Sequence, residues 1–223
     1  MKQIHLYILL CLVGLSGACA YDNYDEPASV LTGQLLYEGK PVGVKNAEIT
    51  LDVYEPGWPF REAIPVNVNQ DGTFSAQLFE SQYKIVRRKD VGAFVNDLDT
   101  TEVIVHSHTV QDIEVLPFFF IEEPQYTVNT GILNASFHVE QPVTGKELES
   151  IEVYVSTTRF CDAENNQLRF VLLAEEVENL EAVTIEGELG ELSNREYVFV
   201  RIGVKSLSQT ARNYSLVRKI HLP

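Results

Sequence analysis

Several things are scarce in this chain. Its 223 residues hold one Trp, one Met and three Cys. Three cysteines cannot staple a disulfide scaffold, so a fold must stand on its hydrophobic core. Basic side chains are scarce as well: 17 Lys+Arg face 32 Asp+Glu, for a formal net charge of −15. That balance excludes nucleic acid as a partner, because neutralising phosphates takes clustered Lys and Arg. It also excludes docking on an anionic membrane through a basic face. No G-x-S-x-G, H-E-x-x-H, C-x-x-C, Walker A or G-x-G-x-x-G motif occurs. Among so many acids, a carboxylate pair in sequence carries no glycosidase signal. The expectation is a protein that is not an enzyme and needs no cofactor.

What is present is the makings of a core: 45% hydrophobic and 10% aromatic residues, in the range of a folded globular protein. The N-terminus reads as an address. Lys2 carries the charge of a short n-region, and Ile4 to Leu15 is an apolar run of 12 residues. That run is too short for a spanning helix, which needs about 20. Small residues follow, Ser16-Gly17-Ala18-Cys19-Ala20, as in a secretory signal peptide. Two processing readings are open. Ala18-Cys19-Ala20 fits ordinary signal peptidase, whereas Leu15-Ser16-Gly17-Ala18-Cys19 resembles a bacterial lipobox, in which the Cys becomes the lipidated first residue. The second reading is favoured. It makes residues 1–18 the signal and Cys19 the lipid carrier, and leaves Cys161 a lone thiol among acids, a poor nucleophile.

The remainder is strand-like. Residues 19–27 are acidic and aperiodic, a tether. Val30 to Tyr37, Ala47 to Tyr54, Ile64 to Val68, Thr73 to Phe79, Tyr83 to Arg88, Glu102 to His106 and Val110 to Leu116 alternate with period 2 or are rich in strand formers. Asn69-Gln70-Asp71-Gly72 supplies hairpin turn chemistry. Pro117 to Pro124 brackets an apolar run that marks a boundary; its three Phe should end one core and begin the next. Asn134 to Glu140, Ile151 to Ser156, Leu168 to Ala174, Ala182 to Glu188, Tyr197 to Val204 and Tyr214 to Leu222 read as further strands, with a helical turn in Glu175 to Glu181. Leu192 followed by Tyr197 before a late strand suggests a tyrosine corner. The expected fold is all-β: two tandem antiparallel β-sandwiches, residues 28–118 and 119–223.

The residues Ala18-Cys19, Asp22-Asn23-Tyr24-Asp25-x-Pro27, Leu31-Thr32-Gly33, Pro56-Gly57-Trp58-Pro59, Asp71-Gly72-Thr73-Phe74, Leu78-Phe79, Tyr83-Lys84 and Val115-x-Pro117 resemble a family of two-domain surface lipoproteins of gut Bacteroidetes. That family has no assigned function and is found beside SusC/SusD-type glycan-uptake systems. The resemblance implies a prealbumin-like first sandwich, also known as the carboxypeptidase regulatory-like domain, where Asp-Gly-x-Phe enters a central strand. It also implies an outer-membrane lipoprotein, at the cell surface or facing the periplasm, with SusC/SusD-like proteins and polysaccharide as partners. The second sandwich, matched only in length and strand pattern, is expected to be immunoglobulin/fibronectin III-like.

The sole Trp marks the best binding candidate. Trp58 and Phe60 sit in a loop stiffened by Pro56 and Pro59, next to Tyr54, with Glu55, Arg61 and Glu62 placed to hydrogen-bond hydroxyls. A rigid, partly exposed aromatic suits stacking on a pyranose face; the competing reading has Trp58 folding back to cap the sandwich. Asp97 and Asp99 space oxygens closely enough on a loop for a metal, without the Gly and Glu of an EF-hand. His106 and His108 could share a strand face as metal ligands. Arg87-Arg88-Lys89 is read as offsetting nearby acids. The functional expectation is an accessory component that binds glycan or partner; the alternative is a scaffold or pilus-like assembly protein with no small ligand.

Overall fold

The computed structural model describes residues 25–57, 62–96, 99–207 and 209–223. The first half forms β1 (Ser29–Tyr37), β2 (Lys40–Pro41), β3 (Thr50–Tyr54), β4 (Ile64–Asn67), β5 (Thr73–Leu78), β6 (Ser81–Arg87), β7 (Thr100–Val105), β8 (His108–Val110) and β9 (Ile113–Glu114). One sheet runs β2-β1-β5 with β8 and β9 also on β1; the facing sheet runs β4-β3-β6-β7. Alternation puts Leu31 and Leu35 of β1, Leu51 and Val53 of β3 and Phe74 of β5 into the shared core. Asp71-Gly72 turns the chain into β5 as expected: Gly72 has φ +82°, and the Asp71 carboxylate accepts the Thr73 hydroxyl at 2.7 Å.

The second half forms β10 (Phe120–Asn129), β11 (Ile132–Glu140), β12 (Leu148–Ser156), β13 (Leu168–Leu173), β14 (Val183–Glu188), β15 (Tyr197–Ser206), β16 (Arg212–Tyr214) and β17 (Arg218–His221). Its sheets are β10-β11-β14 and β13-β12-β15-β16, with β17 also on β15. Leu133, Ile151, Val153, Val198, Val200 and Ile202 fill the space between them. The chain is all-β, two tandem sandwiches as its strand pattern predicts.

The differences have local causes. Pairing is not purely antiparallel, because β8 and β9 run parallel to β1 after the chain crosses from the other sheet. The expected strand over Val110 to Leu116 is split there, since the Asp112 carboxylate takes the Gln34 N–H at 2.9 Å in place of a ladder carbonyl. Ala47 and Glu48 turn instead of extending, with Ala47 at φ +56°. Tyr214 to Leu222 is two strands, because Ser215 bends back to bond Ile202 through its N–H at 2.9 Å and its hydroxyl at 3.0 Å. The helical turn is a single 3-10 turn at Ala174–Glu176. The tyrosine corner is absent: a 3-10 turn at Gly190–Asn194 precedes Tyr197, whose hydroxyl makes no hydrogen bond among the described residues, and its ring lies against Phe199 and His221.

The Phe triplet divides as expected at the junction. Phe118 and Phe119 enter the second core and Phe120 the first, its ring centroid 5.1 Å from that of Tyr37. Asn213 stitches the turn, accepting the Phe119 N–H at 3.0 Å and donating to the Ala93 carbonyl at 2.9 Å. The main tie is Arg201. On β15 it faces away from the second core, yet it is fully buried, because the N-terminal sandwich and the Cys161 loop cover that part of the sheet. Its guanidinium donates to the Val44 and Gln70 carbonyls of the first sandwich at 2.8 Å each and to Ser215 at 2.9 Å. Hydrogen bonds from a charged donor contribute about 1.5–3 kcal/mol each, so this is a strong clasp.

Candidate functional site

β3 ends at Tyr54 and hands on to Glu55; Glu62 and Ala63 lead into β4. Beside them, β5 ends at Leu78 and turns through Phe79 and Glu80 into β6. Where the two connections meet, a cleft of about 360 Å3 opens at the end of the N-terminal sandwich. Its apolar wall includes Phe79 and Ile64, which are 48% and 41% exposed. Glu55 and Glu62 stand at the rim as hydrogen-bond acceptors, and Gln77 fixes Pro27 by donating to its carbonyl at 2.6 Å.

The cleft is held rigid from below. Tyr83, 1% exposed, donates its hydroxyl to the Phe79 carbonyl at 3.1 Å, pinning the turn that presents the ring. Burial raises the Tyr83 phenol above its usual value, with the nearby Glu55 charge adding to the shift, so it remains a donor at neutral pH. The site therefore combines a fixed exposed ring, an aliphatic neighbour and two carboxylates. That set stacks on an apolar ligand face and accepts hydrogen bonds from hydroxyls.

The residues singled out in the sequence divide around this cleft. Trp58, Phe60 and Arg61 lie outside the described residues, as do Cys19 and Asp97. Glu55 and Glu62, at the two ends of the Trp58 loop, line the cleft. Tyr54 does not: it falls on the outer face of β3 with Asp52, opposite Lys84. Asp99 is exposed just before β7, and no group of three His, Cys, Asp or Glu is placed to hold a metal among the described residues. His106 and His108 are separated by a left-handed turn at Ser107 (φ +53°) and engage Glu80 and Thr32 respectively. Arg88 pairs with Asp52 at 2.6 Å, while Arg87 is buried, donating to the Val95 carbonyl with its guanidinium over the Phe94 ring. Cys161 is fully buried; burial pushes its thiol up to about 12, and the Asp162 charge adds to the shift.

Phe79 is the residue sequence reasoning overlooked. Its signal was parity: with Phe74 and Leu78 facing the core, Phe79 sits one step out of phase and must face outward.

The chain's two halves match two family models. Residues 29–116 match the DUF3823 N-terminal domain, described as a protein of unknown function, and residues 119–219 match the DUF3823 C-terminal domain of unknown function. No curated protein matches the chain. The structure is similar to that of a DUF3823 family protein from Bacteroides ovatus, with TM-score 0.82 and 29% identity over 87% of this chain and all of the other. A DUF3823 family protein from Parabacteroides merdae is similar at TM-score 0.80 and 29% identity, over 88% of this chain and all of the other. A Bacteroides uniformis protein described as a candidate carbohydrate-binding protein shares the fold at TM-score 0.68 and 17% identity, over 88% of this chain and 100% of the other. With both of its domains matched in tandem, the chain belongs to the two-domain DUF3823 family.

Proposed function

We propose that the protein is a non-catalytic, exported lipoprotein that binds a glycan in the Phe79 cleft as an accessory component of a polysaccharide-utilisation system. The observation that carries this reading is the exposed Phe79 ring, held by Tyr83 beside Glu55 and Glu62. An aromatic fixed before the ligand arrives loses little entropy on binding, and two carboxylates give orientation through sugar hydroxyls. The carbohydrate-binding description of the B. uniformis structure points the same way.

In this reading Cys19 carries the lipid and anchors the chain to the outer membrane at the cell surface. Pro27 lies on the cleft wall, eight residues beyond Cys19. Eight residues span at most about 29 Å, so the cleft works close to the membrane, where a SusC/SusD-like porin complex would pass glycan. Affinity electrophoresis against a panel of plant and host glycans tests the site. Phe79→Ala should weaken retention by roughly tenfold, the size of a central contact. Equal retention of Phe79→Ala and the parent chain on every glycan that binds would place the ligand elsewhere. Mass spectrometry of the mature N-terminus tests the anchor, and a free Tyr21 would overturn it.

The scaffold reading draws on a different observation, the Arg201 clasp, which ties the two sandwiches together as suits an assembly role. A chain that shifts on no glycan and co-purifies with no porin complex would leave only this reading.

A further inference from the structure

The outer face of the second sandwich's larger sheet holds a second cluster of rings, far from Phe79 in the chain. β17 runs antiparallel to β15, so His221 lies opposite Tyr197 and Lys219 opposite Phe199. Because a strand alternates its faces, these four side chains lie together on the face opposite to Val198, Val200 and Ile220. The Tyr197 centroid is 5.7 Å from that of Phe199 at 84° and 6.1 Å from that of His221 at 64°. The Lys219 ammonium stands 3.7 Å from the Tyr197 centroid. Both Tyr197 and Phe199 are half-buried, while Lys219 and His221 are exposed. Next to Tyr197 a cleft of about 240 Å3 is bounded by Arg195, Glu196 and Thr157.

Many of the surface cations are committed to acids. Lys40, Lys45, Lys84, Arg88, Arg159, Arg169, Lys205 and Arg212 each pair with a carboxylate. Lys219 and Arg195, like Lys89, Lys146 and Arg218, pair with no carboxylate among the described residues, although the chain carries 32 acids; what sets these two apart is that both adjoin the Tyr197 ring. Two uncommitted cations flank a packed, partly open aromatic surface, with Glu196 the one carboxylate lining the adjoining cleft.

We propose that Tyr197, Phe199, Lys219 and Arg195 form a second binding platform, specific for a sugar unit that carries negative charge, a uronate carboxylate or a sulfate ester. The rings offer an apolar surface to a pyranose, Lys219 and Arg195 meet the anionic substituent, and Glu196 accepts from a hydroxyl. Two cations are too few for a nucleic-acid backbone on a chain of this net charge. The platform stands independently of the Phe79 cleft and adds a charge preference which that cleft, rimmed by Glu55 and Glu62, does not have.

The test is calorimetric titration of the intact chain with polygalacturonate, dextran sulfate and neutral dextran at physiological ionic strength. Binding of at least one of the two polyanions, with none of dextran, is expected; polygalacturonate alone assigns a uronate and dextran sulfate alone a sulfate ester. Tyr197→Ala should weaken binding by about fivefold or more, Lys219→Glu by more than about tenfold, and Lys219→Arg by less than about twofold. Phe79→Ala should leave polyanion binding unchanged, which keeps a failure here distinct from a failure of the first cleft. Tyr197→Phe, which preserves the packing, should bind like the parent chain if Tyr197→Ala proves unstable. No heat with either polyanion, equal heat with dextran, or binding that survives both Tyr197→Ala and Lys219→Glu would overturn the proposal.

Discussion

One sheet face carries the same pairing of cation and tyrosine twice, with opposite outcomes. At one end Arg201 lies over Tyr214, 4.4 Å from guanidinium carbon to ring centroid; at the other Lys219 stands over Tyr197 at 3.7 Å. Tyr154, Arg201 and Tyr214 are at most 5% exposed, and three carbonyls besides Cys161 take the guanidinium protons. Lys219 and His221 are open to solvent. The difference is what covers the face: the N-terminal sandwich lies on the first pair and leaves the second bare. Cover turns a cation–ring contact into a structural lock, because water can no longer compete for the donors. Its absence leaves the same contact a weak surface feature, available to a ligand. Burial pushes the Arg201 guanidinium down to about 10, while Tyr214 and Cys161 act the other way, so it remains charged at neutral pH.

Replacing the two cations in turn is the sharpest way to break this comparison. Arg201→Met keeps the apolar stem but strands the Val44, Gln70 and Ser215 carbonyls, at about 1–3 kcal/mol for each group left unpaired. The expected loss is about 3 kcal/mol or more in urea unfolding, with faster thiol labelling of Cys161, whose carbonyl the same guanidinium reaches. Arg201→Lys should recover only part, since one ammonium cannot reach carbonyls spread across a planar fork. Lys219→Ala should change stability by less than about 0.5 kcal/mol. A Lys219→Ala cost equal to that of Arg201→Met would mean that cover is not what separates the two ends.

A somewhat smaller effect is expected at Glu152, beside the lock on β12. Its carboxylate is fully buried and accepts from Arg169 at 2.5 Å, Arg212 at 3.0 Å and Ser150 at 3.0 Å, and also from the Tyr154 hydroxyl. Glu152→Gln keeps the shape but leaves two guanidinium groups facing an amide, which should cost roughly 2–3 kcal/mol in the same unfolding assay. An Arg169→Leu, Arg212→Leu, Glu152→Leu triple variant should recover part of that loss, because it removes charge on both sides.

The alternation in Tyr197-Val-Phe-Val-Arg-Ile-Gly-Val was enough to put Val198, Val200 and Ile202 inside and Tyr197, Phe199 and Arg201 outside. It could not say that the outside at Arg201 is an interior between domains, because period 2 reports a face and not what lies on it. β10 was hidden for another reason. Its Glu122-Glu123-Pro124 interruption reads as a break, yet the strand absorbs it in a register shift between Glu122 and Gln125, with Glu123 at φ +48°. Pro is tolerated there because β10 is an edge strand with a free side. At the cleft, Glu55 and Glu62 were legible from their place beside the prolines of the Trp58 loop. The meeting of Glu55 and Glu62 with the Phe79 turn is a contact between distant segments, which no local pattern encodes.

A smaller effect than at Arg201 or Glu152 is expected at Asp71, which serves both the N-terminal hairpin and the junction. Burial tends to raise its carboxyl, but hydrogen bonds from the Thr73 hydroxyl and N–H outweigh it, with Arg159 of the other sandwich 3.4 Å away, and the net shift is downward. A depressed carboxyl adds stability above the unfolded-state value of about 3.9, and that stability is lost as pH falls through the lower folded-state value. The side chain is 36% exposed, so solvent screening keeps the contribution below about 1 kcal/mol. Asp71→Asn should therefore unfold slightly more easily than the parent chain at pH 7, and the difference should shrink steadily below about pH 4. Arg159→Ala should reproduce only a fraction of it, because the ion pair across the junction is exposed while the Thr73 bonds are local. If Arg159→Ala cost as much as Asp71→Asn, the exposed pair would be acting as a second clasp beside Arg201, and cover would no longer explain which cations hold the two sandwiches together.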